Sequence, residues 1–231
     1  MTTQQFITNM AVVLAGAVLA AASFWGLINV PESNVLALAL SLLLVIITVL
    51  IVGVTAGVVT GHAGGRALRE AGPWAVRRLP MFVAGVMVFA ALWWFTAFVE
   101  GQWSLHSGEI EALFLRYAGT SNTGWLFTVV TWVLWLVRWG IGLAAVTALT
   151  AGSPRLVLSA RPLGATVLAL LAGWALWLGV YWRPRSLPPN YVEVIFTLAK
   201  FGVLALAGAA LAVVVITVFA REGVASDQQA N

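Results

Sequence analysis

The sequence predicts an all-α integral membrane protein: a bundle of about six transmembrane helices with a short helix in the outer interface. Three observations lead there. Of the 231 residues, 61% are hydrophobic and 9% charged, and the mean hydropathy is +0.98. A soluble domain carries roughly 25% charged residues and needs them to coat its surface. Apolar runs of about 20 residues, long enough to cross a bilayer as helix, recur along the whole chain. Between them the arginines gather in alternate loops, as the positive-inside rule demands.

The first span covers about 10–30, MAVVLAGAVLAAASFWGLINV. No Lys or Arg precedes it, so it reads as a retained span rather than a cleavable signal. The second covers about 35–60 and ends in GVTAGVVTGHAGG. Its helical pattern continues through GHAGGRALREAG to Gly72 and Pro73, a helix-ending pair. Residues 34–71 as one helix reach roughly 57 Å, past a hydrocarbon core of about 30 Å, and project Arg66, Arg69 and Glu70 into the cytoplasm.

The third span covers about 80–99. In the outer loop that follows, Ile110, Leu113, Phe114 and Tyr117 make one apolar helical face. Ser107 is the expected N-cap, Glu109 and Glu111 suit the first turn, and Gly119 is the expected stop. This helix is expected to float in the interface or to act as a lid over a site. Spans four to six follow at about 124–150, 162–182 and 190–219, completing one polytopic domain over 1–231. With both termini cytoplasmic, the inner loops hold Arg66, Arg69, Arg77, Arg78, Arg155, Arg161 and Arg221, and the outer loops Arg116, Arg183 and Arg185. The expected location is a bacterial cytoplasmic membrane.

Gly53, Gly57, Gly61 and Gly65 fall four apart. A phosphate cradle needs a preceding strand and a following Lys with Ser or Thr, and both are missing. At 3.6 residues per turn the four glycines instead line one helical face, a glycine-zipper groove for another helix. Small residues recur in span six, where Ala205 pairs with Ala209 and Gly208 with Ala212. His62 reads as a hydrogen-bonding group at the cytoplasmic end of the groove.

Charges within spans cost roughly 3 kcal/mol each at the bilayer centre, so each needs a reason. Arg138 lies mid-span in WLVRWGIG, and Glu193 and Lys200 lie in span six. Lys200 can snorkel outward; Arg138 needs a carbonyl, Glu193 or a bound anionic group. Trp125, Trp132 and Trp139 recur every seven residues with Trp135 between them. They read as helix packing or as an aromatic wall. Trp93, Trp94, Trp174, Trp177 and Trp182 read as interface anchors.

The chain has no cysteine, two histidines and a lone aspartate, which leaves no thiolate site and no clustered metal ligands. An intramembrane aspartate pair, a G-x-S-x-G elbow and an HExxH helix are all absent from the sequence. No cofactor, metal or catalytic residue is expected. The expected partners are membrane lipids and either other membrane subunits or further copies of this chain, not nucleic acid. The functional expectation is a non-catalytic subunit or accessory component of a membrane complex. The alternative is a transporter or channel component for a small or anionic solute, with Arg138, Lys200 and Glu193 lining the path.

Overall fold

A computed structural model describes residues 1–30, 34–119, 123–181 and 191–230, with side chains for all of these except 118, 179–181, 191–193 and 226–230. Trp182, Arg183 and Arg185 lie outside the described residues. The described chain is all-helical, in the order α1 (Thr3–Ile28), α2 (Val35–Ala63), α3 (Leu68–Leu105), α4 (Ser107–Ala118), α5 (Gly124–Leu136), a π-turn (Val137–Ile141), α6 (Gly142–Ala151), a 3-10 turn (Pro154–Leu158), α7 (Ala160–Tyr181) and α8 (Tyr191–Ala230). Six helices are long and apolar enough to span a membrane, α5 and α6 together forming the fourth.

Local chemistry sets the helix ends. Thr2 and Gln5 close a capping box on α1: the Gln5 N–H donates to Thr2 Oγ1 and the Thr2 N–H to Gln5 Oε1, each at 3.2 Å. Asn34 caps α2 by accepting from the Ala37 N–H at 2.9 Å. Helix hydroxyls turn inward: Thr55, Thr60, Thr150 and Thr217 each donate to the carbonyl four residues back at 2.7 Å. No water is needed to satisfy them.

The end of α2 departs from the sequence reading. The helix stops at Ala63 rather than near Gly72. Gly65 takes φ +95, its N–H donates to the His62 carbonyl at 3.1 Å, and the Arg66 N–H donates to the Gly61 carbonyl at 3.1 Å. These paired bonds are a Schellman stop, which needs a left-handed residue and favours glycine there. The projecting helix therefore belongs to α3, whose 38 residues reach about 57 Å. Pro73 and Pro80 lie inside α3 without ending it. The outer helix forms at Ser107–Ala118, but His106 rather than Ser107 holds the N-cap position; Gly119 ends it at φ +65.

In chain order α1 packs on α2, α2 on α3 and α3 on α6, while α8 touches α1, α2, α6 and α7. The buried cluster of Ala144, Ala148, Leu156 and Phe219 sits where α6 ends beside the C-terminal half of α8. The start of α1 meets the same region, since Met1 Sδ lies 3.4 Å from Thr217 Oγ1. The opposite half is looser, and α5 buries no residue. The whole chain exposes 14596 Å², whereas a compact monomer of its mass exposes about 10,000 Å².

Candidate functional site: a paired arginine at a π-turn

On α3, Trp93, Thr96 and Glu100 are spaced three and four residues apart and so share one helical face. Facing them, the fourth span is interrupted by the π-turn, whose wider winding reorients the residues beyond it. Arg138 sits in that turn. Its Nε donates to Thr96 Oγ1 at 2.9 Å and its Nη2 to Glu100 Oε2 at 2.9 Å, and its Cζ stands 4.6 Å from the centre of the Trp93 ring. Thr96 is fully buried and donates its hydroxyl proton to the Leu92 and Trp93 carbonyls at 2.8 and 3.0 Å. Its oxygen is thus left to accept from Arg138.

These contacts offset the cost of the charge. Hydrogen bonds to charged groups contribute about 1.5–3 kcal/mol, and a desolvated cation–π contact about 2 kcal/mol. The Arg138 side chain is 15% exposed and Glu100 47%, so the pair opens to one side through its carboxylate. The arrangement can hold charge or couple two helices.

From the sequence alone Glu100 opens the outer loop after span three and Trp93 is an interface anchor, and nothing singles out Thr96. The signal lay in the W-x-x-T-x-x-x-E spacing, visible once α3 is known to run to Leu105. The side chain of Glu193 lies outside the described residues. Lys200 stands 4.5 Å from the Phe196 ring, in an apolar groove of about 390 Å³ between α7 and α8.

A second polar group ties the start of α1 to the end of α2. Asn9 is 0% exposed, and its Oδ1 lies 2.7 Å from His62 Nδ1. Gln5 Nε2 donates to the His62 carbonyl at 3.5 Å. His62 thus sits between helices as a hydrogen-bonding group, and Asn9, unremarked in the sequence reading, is its partner.

The glycines of α2 are filled from within the chain. A Cβ at Gly53 would lie 2.7 Å from Phe82, at Gly57 2.7 Å from Ala75, and at Gly61 3.0 Å from Trp74, all on α3. Gly65 belongs to the turn instead. On α8, Ala209 is buried and Ala212 half-buried, but Ala205 and Gly208 are exposed, and Gly208 looks onto open space. The tryptophans divide between neighbours. Trp125 meets Phe114 of α4 at 6.4 Å, and Trp132 meets Trp135 at 5.7 Å and Trp174 of α7 at 5.1 Å. Past the π-turn, Trp139 meets Trp93 and Phe89 of α3 at 5.3 and 5.5 Å. Among the described residues no group of three or more His, Cys, Asp or Glu is placed to hold a metal ion.

Comparison with known proteins finds no matching family model, no similar curated protein and no similar solved structure.

Proposed function

We propose that this chain is a non-catalytic, multi-pass component of a larger membrane assembly, resident in a bacterial cytoplasmic membrane with both termini in the cytoplasm. The observation that carries the reading is the unequal use of its small-residue faces. The α2 glycines are consumed within the chain by α3, whereas Gly202, Ala205 and Gly208 of α8 are left uncovered. Small residues let helix backbones approach closely, which is where packing energy comes from when lipid supplies no hydrophobic drive. In this reading a helix of another subunit covers the open half of α8. Gentle extraction followed by native mass spectrometry tests it. Foreign subunits in fixed stoichiometry support the proposal; a lone chain or a homo-oligomer sinks it.

The Arg138–Glu100 pair favours a second reading, in which the chain is part of a path for a small or anionic solute. An intramembrane ion pair that is open on its carboxylate side is the kind of group such paths use. The variant Arg138→Gln separates the two. Transport lost with assembly intact supports the path, and assembly lost supports the subunit.

A further inference from the structure

The end of the bundle that holds the chain's N-terminus carries a second arginine arrangement, built around Trp74. The Schellman stop of α2 fixes the backbone of Arg66. Its Cζ lies 5.0 Å from the centre of the Trp74 ring, and Arg78, one turn along α3, places its Cζ 5.3 Å from the same centre. The sum of these distances, about 10.3 Å, is the most that can separate the two guanidinium carbons. Trp74 is a firm platform because its ring lies against Gly61, where a Cβ would approach to 3.0 Å. Arg78 lies against Gly152, where a Cβ would collide with the guanidinium. Gly152 holds φ +83 at the end of α6, so the missing Cβ both permits the turn and makes room for Arg78.

Two cations held on one ring repel each other, and carboxylates normally relieve such a pair. Among the described residues neither Arg66 nor Arg78 has a carboxylate within 4 Å; the nearest acid in sequence, Glu70, pairs with Arg69 at 3.9 Å. Arg66 is exposed and Arg78 half-buried. The platform lies at the level where α2 ends, and a half-buried tryptophan at that level fits the boundary between hydrocarbon and headgroups. Arginine binds phosphate oxygens through two parallel N–H donors, with tighter geometry than an ammonium can give.

We propose that Arg66, Trp74 and Arg78 form a binding site for a phosphate group, supplied either by the phosphodiester of an anionic phospholipid or by free phosphate. Trp74 and Gly152 position the arginines, and the arginines make the contacts. The site is independent of whether the chain has partner subunits.

The test uses the purified full-length chain in nanodiscs of neutral phosphatidylcholine, with its melting temperature followed as ligand is added. One arm adds phosphatidylglycerol and the other inorganic phosphate. Saturable stabilisation by phosphatidylglycerol alone identifies the lipid as the source, and stabilisation by inorganic phosphate identifies the free anion. In either arm Arg66→Gln/Arg78→Gln should weaken apparent affinity at least tenfold. Arg77→Gln/Arg221→Gln, which removes the same charge from exposed positions, should change it less than twofold. The single exposed variant Arg66→Gln, which keeps the Arg78 packing, should weaken it by about threefold or more, so a folding defect in the double variant leaves the idea testable. No saturable response in either arm, or equal losses in the two double variants, overturns the site.

Discussion

Two halves of α8 follow the same helical spacing and meet opposite surroundings. Ala209, Val213, Thr217 and Ala220 step along one face at intervals of four, four and three, and all are buried. Phe196, Lys200, Leu204 and Ala207 step along the other half at the same intervals and are only half-buried, with exposed residues on either side. Around the first half gather α6, the 3-10 turn and the start of α1, which meet Phe219 and Thr217, whereas beside the second the groove at Phe196 and Lys200 is lined by α7. Periodicity therefore marks where a helix can pack, while burial depends on how many neighbours arrive. The enclosed half reads as the structural anchor of the bundle, and the open half as the place where the proposed partner enters.

Overpacking should break this contrast most visibly. Gly85 of α3 faces the backbone of α6, and a Cβ there would lie 2.7 Å from Val146 Cα. Gly85→Leu should destabilise the isolated chain by about 3 kcal/mol or more, read as the unfolding midpoint in mixed SDS micelles, because neither backbone can yield cheaply. The next largest effect is expected at the ion pair. Breaking a fully buried pair costs 3–5 kcal/mol. Glu100 is half-exposed, so Glu100→Ala should cost about 2 kcal/mol in the same assay. Glu100→Leu combined with Arg138→Leu should recover most of that loss, because no unpaired charge remains.

Asn9→Ala removes the partner of His62 and should cost about 1 kcal/mol, in line with interhelical hydrogen bonds in bilayers. The smallest effect is expected in the open half. Gly202 looks onto empty space, so Gly202→Leu should change the isolated chain's stability by less than about 0.5 kcal/mol. The same substitution should nonetheless weaken co-purification of the proposed partner. If Gly202→Leu and Gly85→Leu destabilise the isolated chain equally, the two halves do not differ as described.

The six helices were legible because lipid imposes a length: an apolar run must reach about 20 residues to cross, and the runs here do. Helix ends were less legible. Gly64 and Gly65 carried the true stop of α2, but the apolar-helical pattern resumes at once in RALREAG, so the turn was read as continuous helix. The Arg138 site was half legible. The arginine stands out because a charge within a span is costly. Its partners do not, because Glu100 lies just past the apolar run and Thr96 is unremarkable until the two helices are set side by side. The π-turn leaves no periodic trace, since it shifts the register within five residues of an otherwise regular span. Which small-residue stripes are filled from inside was also invisible, because Gly57 and Gly208 look alike until α3 covers one and not the other.

The central claim, that another protein covers the open half of α8, is tested most directly by photocrosslinking in native membranes. A benzophenone side chain placed at Leu206, which is exposed, is compared with one at Val213, which is buried. The account predicts a discrete protein adduct of fixed mass from Leu206 and only crosslinks within the chain from Val213. Adducts with lipid alone at Leu206 would contradict it.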